Sequence, residues 1–134
     1  MDITVSTENG RVPVTVLHVD GNIDSSTYEQ FLSESKKLIA DGARYMLIDL
    51  SRVPFVSSAG LRALHTLFNE LRARNPDAGL SDEQMKRGIS AGTYKSPHLK
   101  LLNLSPETRS AFETSGFDMY IDTFTDRKAA IASF

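Results

Sequence analysis

Ser57 and Ser58 stand side by side in the stretch FVSSAGLRAL, immediately before an apolar helical repeat. A hydroxyl in that place has two uses: to cap the helix, or to meet something outside the chain. If the helix begins near Ala59, either Ser57 or Ser58 is its N-cap and satisfies an orphan backbone N–H. One cap needs one serine. Ala59 and Gly60 then make a bare first turn, and glycine there costs about 1 kcal/mol of helix stability relative to alanine. The arrangement reads as room for an approach from outside, by another backbone or by a phosphate. Nucleophilic catalysis at Ser58 is a poor fit, because it requires a base within hydrogen-bond reach. The nearest histidine in sequence, His65, is seven residues along the helix, a rise of about 10 Å. It is expected to pad the edge of the apolar stripe. No Gly-x-Ser-x-Gly elbow surrounds the serines, and no phosphate-binding glycine loop occurs elsewhere. His18 falls in a strand and His98 at the start of one, neither with a cysteine or histidine neighbour at metal-ligand spacing. Asp24 and Asp49 make no catalytic carboxylate pair. No enzymatic activity, metal or cofactor is expected.

The elements that must position these serines alternate along the chain. DITVST and VPVTVLHVD read as strands, the second with Val12, Val14 and Val16 on one face and Thr15, Leu17 and Val19 on the other. Between them Asn9-Gly10 suits the positive φ angles of a tight hairpin. Pro13, lacking an N–H, belongs at a strand's edge or beginning. Tyr28, Phe31, Leu32, Ser35, Leu38 and Ile39 recur at helical spacing, with Ser26 and Glu29 as a capping box and Gly42 as the stop. RYMLIDL is continuously apolar from Tyr45 to Ile48, as a central strand covered on both faces is. Leu61, Leu64, Leu67, Phe68 and Leu71 then mark the core stripe of the helix that follows the serines, which ends at Asn75-Pro76. HLKLLNL reads as a strand, and SPETRSAFETSG as a helix with Ser105 as N-cap, Pro106 in its first turn and Gly116 past its end. FDMYID reads as a short strand and TDRKAAIASF as a closing helix. The order β-β-α-β-α-β-α-β-α predicts an α/β fold, a mixed sheet with four main helices packed on it.

One segment breaks the rhythm. About 76–97, PDAGLSDEQMKRGISAGTYKSP with its flanks, is far longer than an ordinary helix-to-strand connection. Within it Ser81 can cap a turn or two of helix that starts at Asp82 and Glu83 and stops at Gly88. As a surface insertion it is expected to carry little of the core, so that replacing residues 78–95 with a short linker changes stability by less than about 1 kcal/mol.

Composition narrows the function classes. A chain of 134 residues, 40% of them hydrophobic, fits one domain with a modest core, spanning 1–134. There is no cysteine, which excludes disulfides and thiolate chemistry. A formal net charge of -2, with both signs interspersed, leaves no footprint for nucleic acid. No apolar run has the length of a membrane span, and the first residues lack a signal-peptide pattern, so a cytoplasmic protein is expected.

Three pieces in matching order carry a resemblance: GNID after a strand, MLIDLSRVPFVSSAGLRAL across strand, turn and helix, and LNLSPETRSAFETSGFDMYID near the C-terminus. Together they resemble the bacterial anti-sigma-factor antagonists of the STAS domain family. In that family the pattern before the second helix is commonly Asp-Ser-[Ser/Thr]-Gly-Leu, its first serine phosphorylated by a partner kinase. Laid on this chain, Ser58 takes the phosphorylated position, Gly60 and Leu61 match, Ala59 is a mild change, and Ser57 stands where the acidic residue often stands. The resemblance implies a partner surface made of Asp24, Ser57, Ser58, Ala59, Gly60, Leu61 and Arg62. It implies two protein partners, a kinase-like anti-sigma factor that releases its sigma factor and a Ser/Thr phosphatase. Asp24 either belongs to that surface or caps the first helix, and Asp49 ties down a turn. The alternative within the family is an accessory or scaffold subunit of a transporter or signalling complex, without a phosphorylation switch.

Overall fold

The computed structural model describes residues 1–74, 82–91 and 94–134. Its sheet has five strands: β1 (Asp2–Asn9), β2 (Pro13–Asp20), β3 (Met46–Arg52), β4 (Leu99–Leu102) and β5 (Asp122–Phe124). They lie in the order β1-β2-β3-β4-β5. Only β1 and β2 are antiparallel; β2 to β5 run parallel. The helices are α1 (Tyr28–Ala40), α2 (Ser58–Arg74), α3 (Asp82–Ala91), α4 (Pro106–Thr114) and α5 (Arg127–Ala132). The expected mixed α/β architecture is present, with one helix more than the four main ones.

Strand alternation divides the core in two. Leu17, Val19, Met46, Ile48, Leu50, Leu99 and Leu101 face the larger cluster, filled by Phe31 and Ile39 of α1, by the α2 stripe and by Phe112 of α4. Val14, Val16, Leu47 and Leu102 face the other way, against Ala130 of α5. β3 is therefore central and apolar on both faces, as its continuous run requires. The short α5 covers only part of its face, and the strand ends beyond it carry polar side chains.

Several local expectations give way to tertiary packing. The β1–β2 connection spans residues 10–12, and neither Asn9 nor Gly10 has positive φ. Gly10 packs closely under α5 instead: a Cβ there would lie 3.0 Å from both the Ile131 side chain and its carbonyl, so α5 would have to give by a few tenths of an ångström. Ser26 and Glu29 form no capping box, since α1 begins after a turn closed by Asp24, whose carbonyl accepts from Thr27 and Tyr28 N–H groups. Gly42 does end α1, at φ 114°, and Gly116 ends α4, at φ 83°. Ser105 caps α4 by accepting from the Thr108 N–H. FDMYID is not a strand: Phe117–Met119 form a 3₁₀ turn whose ring packs on Tyr120, and β5 starts at Asp122.

The largest correction concerns the long segment between α2 and β4. Its helix does not stop at Gly88 but continues to Ala91. Met85 and Tyr94 are buried in the main core and Ile89 packs against it, Tyr94 meeting Phe68 edge-on at 6.3 Å. Apolar side chains at 85, 89 and 94 bring the described part of the segment onto the body, against the expectation of a surface insertion. Ser81, its expected cap, and Leu80 lie outside the described residues.

Candidate functional site

The serine pair is held by a short piece of sheet made by two loops. Ile23, in the loop after β2, bridges Val56, in the loop after β3, in parallel register. The Ile23 N–H donates to the Phe55 carbonyl at 3.1 Å and the Ser57 N–H donates to the Ile23 carbonyl at 2.9 Å. Ser105, at the head of α4, donates its hydroxyl to the Pro54 carbonyl at 2.9 Å, so three connections converge on this loop. They bring the Asp24 loop and the head of α2 together.

The two serines have different work. Ser57 is the cap: its Oγ accepts from the Gly60 N–H at 3.3 Å and its carbonyl accepts from the Leu61 N–H at 2.8 Å. Ser58 is the first helical residue, exposed, and its hydroxyl has no hydrogen-bond partner among the described residues. A helix with one serine as cap and the next left bare presents a hydroxyl at the positive end of its dipole. Arg62, one turn along, is also exposed and makes no ion pair among the described residues. Ala59 is partly exposed, whereas Leu61 is buried at 8% exposure and anchors the helix from below.

Gly60 does not serve an approach from outside. It is buried, and a Cβ on it would lie 2.3 Å from the Ile23 carbonyl oxygen and 2.7 Å from Val56 Cγ1. The backbone that comes close is the chain's own. Glycine at this position is what lets the two loops touch.

Asp24 does not cap α1, whose N-cap is Thr27 with no side-chain cap bond; it shapes the turn that leads into the helix. Its Oδ1 accepts from the Ser26 N–H at 2.9 Å and from the Ser26 and Thr27 hydroxyls, which builds the entry to α1. Hydrogen bonds from Ser26, side chain and backbone, hold its carboxyl below the ordinary value, so it stays ionised beside the serine loop. Asp49 ties no turn: its Oδ1 accepts from the Ser51 N–H at 3.0 Å, and both residues lie within β3. It also meets His18, whose Nδ1 lies 3.1 Å from its Oδ2. Burial pushes the Asp49 carboxyl up, but the bonds from Ser51 and His18 outweigh it and leave the group below its ordinary value.

His65 is engaged elsewhere, as its spacing from Ser58 demands. Its Nδ1 lies 2.7 Å from the Tyr120 hydroxyl, and its ring stacks on Phe117 at 5.5 Å. Burial lowers its affinity for a proton and raises the Tyr120 phenol to about 12. No group of three or more His, Cys, Asp or Glu side chains among the described residues is arranged to hold a metal ion. No helix among them is long and apolar enough to cross a membrane.

Two features of the structure were not anticipated. Phe55 is 47% exposed in the loop that carries the serines. An aromatic placed in a turn after proline was the available signal. The second is the meeting of His18 with Ser6 and Asp49 across β1, β2 and β3. Its signal was polar residues interrupting the buried alternation Val14, Val16, His18 and Leu47, Asp49.

Comparison with known proteins gives a consistent set. The STAS domain family model matches residues 5–82. The protein BtrV of Bordetella bronchiseptica, named as an anti-sigma factor antagonist, is 28% identical over 116 residues, covering 87% of this chain and 82% of its own. Among solved structures, an anti-sigma factor antagonist from Mycobacterium paratuberculosis aligns over 98% of this chain and 93% of its own, at TM-score 0.67 and 23% identity. The phosphorylated form of the Bacillus cell fate determinant SpoIIAA aligns over 97% and 96%, at TM-score 0.62 and 21% identity.

Proposed function

Since this chain belongs to the STAS domain family, we propose that it is a binding module, an anti-sigma-factor antagonist switched off by phosphorylation of Ser58. The observation that carries the reading is the division of labour between the serines: Ser57 caps α2 and Ser58 is left exposed and unbonded. The partner is a kinase-like anti-sigma factor, which supplies the ATP chemistry, and a Ser/Thr phosphatase resets the site. One STAS domain spans 1–134, with 76–97 as an insertion whose Met85, Ile89 and Tyr94 pack on the core, and the protein works in the cytoplasm.

Charge explains the switch without movement of the fold. The partner covers Asp24, Ser58, Ala59 and Arg62, with Phe55 as the apolar anchor at the rim of the patch; Ser57, Gly60 and Leu61 shape that surface from beneath. A phosphate adds roughly -1.5 to -2 charges at neutral pH. On the free protein it faces solvent and the positive end of the α2 dipole, where it is tolerated. Buried against a partner shaped for a hydroxyl, the same charge is desolvated and costly. The partner dissociates while the domain stays folded.

The test is capture of cytosolic partners with the purified chain, followed by ATP addition and mapping of the modified residue. A kinase-like protein that phosphorylates Ser58, and not Ser58→Ala, supports the reading. Phosphate on Ser57 alone, or capture of a transporter subunit in place of a kinase, overturns it.

A further inference from the structure

On the sheet face opposite α1 and α2, three polar side chains meet in a line. Ser6 Oγ lies 3.1 Å from His18 Nε2, and His18 Nδ1 lies 3.1 Å from Asp49 Oδ2. Arg127 at the start of α5 donates to Ser6 Oγ at 3.4 Å, and the Ser51 N–H donates to the other Asp49 oxygen. With the His18 ring neutral, as a base must be, these partners fix the direction of every bond. An ionised carboxylate only accepts, so His18 Nδ1 carries the ring proton. Nε2 then holds the lone pair and accepts the Ser6 O–H. Arg127, which only donates, occupies a lone pair on the same oxygen. The polarity from serine through histidine to aspartate is the one a base needs to deprotonate a hydroxyl, and the carboxylate holds the ring in the required tautomer.

His18 and Asp49 line an open cleft of about 310 Å³ together with Thr4, with Asp2, Asp20 and Arg52 at its walls, and Ser6 stands just outside that lining, held by its bond to His18 Nε2. Thr4 is two residues from Ser6 on the same face of β1. Three carboxylates stand against one guanidinium, and Arg52 is itself 3.6 Å from Asp20. Such a cleft suits neutral or cationic molecules and repels anions.

We propose that Ser6 is a nucleophile, with His18 as its base and Asp49 as the positioning residue, which takes the acyl group of a small neutral or cationic ester. Ser6 Oγ attacks the ester carbonyl carbon as its proton passes to His18 Nε2. The ester C–O bond breaks, the leaving oxygen takes that proton, and acyl-Ser6 remains. Water, deprotonated by the same nitrogen, then attacks the acyl carbon and releases a carboxylic acid, regenerating the Ser6 hydroxyl.

The experiment uses the full chain with two probes, a neutral alkyl fluorophosphonate and p-nitrophenyl acetate, read by intact mass and peptide mapping. The expected result is label on Ser6, none on Ser6→Ala, and at least about a 100-fold slower reaction in His18→Gln, which keeps the hydroxyl. Asp49→Asn should slow labelling and, in nitrogen NMR of the imidazole, lose the Nδ1–H tautomer, while Asp49→Glu restores part of both. A p-nitrophenyl ester carrying a carboxylate should react more slowly than the acetate. Each variant is first melted to show that it folds. Should Ser6→Ala fail that check, peptide mapping of the wild-type label and the His18→Gln rate decide the matter alone. Absence of label, label on another residue, or an undiminished rate in folded His18→Gln overturns the proposal.

Discussion

Replacing Gly60 with alanine tests how the serine site is built, because two readings of that glycine predict opposite signs. Helix propensity alone favours alanine by about 1 kcal/mol. Against it stands the Ile23 carbonyl, 2.3 Å from where the new Cβ would sit, with Val56 Cγ1 at 2.7 Å. The carbonyl is backbone, held by the Ser57 N–H and by the Ile23–Val56 bridge, so it cannot swing aside as a side-chain end does. Reaching ordinary contact moves the loop by about 1 Å, which strands the Ser57 N–H at about 1–3 kcal/mol. Overpacking adds about 1–3 kcal/mol. The net effect is a loss of about 1–5 kcal/mol, or about 4–18 °C in melting temperature for a chain of this size. Urea titration and thermal melting both read it. Stability equal to or above that of the unsubstituted protein would refute the close approach and restore the reading in which Gly60 admits an outside group.

Three further outcomes follow from the same geometry. Ser57→Ala should cost about 1 kcal/mol as a lost cap, while Ser58→Ala stays within about 0.5 kcal/mol, both read by urea titration. Replacing residues 78–95 with a short Gly/Ser linker should cost more than about 2 kcal/mol, because Met85, Ile89 and Tyr94 leave the core; a loss below about 1 kcal/mol would show the segment to be peripheral after all. Burial lowers the His65 proton affinity from its ordinary 6.5, so the unfolded chain takes up that proton first. Stability should be full above pH 6.5 and fall as the pH drops below it, and His65→Gln should remove that part of the slope in a pH series of melts.

Much of the architecture was legible because local signals agreed with the global fold. The continuous Tyr45–Ile48 run marked the central strand, the leucine stripe from Leu61 to Leu71 marked the buried face of α2, and Ser105 with Pro106 marked the start of α4. The failures share one cause. Gly10 and Gly60 were read as conformational or external features, and both turned out to be places where a distant backbone comes close. Met85 and Tyr94 were read as part of a surface segment because long connections are usually exposed, and only the folded body shows a gap for them. At the candidate site, the serine pair and its helix were visible, but which serine capped was not, since that depends on a hydrogen bond fixed by the Ile23 loop. The Ser6–His18–Asp49 line joins residues 12 and 31 positions apart, a relation that only strand register creates.

The central claim is that Ser58 is a partner contact whose charge state decides binding. Titration calorimetry of the captured kinase-like partner against the unmodified protein, Ser58→Ala and the Ser58-phosphorylated form tests it most directly. The alanine form should bind as the unmodified protein does, and the phosphorylated form at least about tenfold more weakly, a loss of about 1.4 kcal/mol, with its melting temperature preserved. Equal affinity of the phosphorylated and unmodified proteins would contradict the claim.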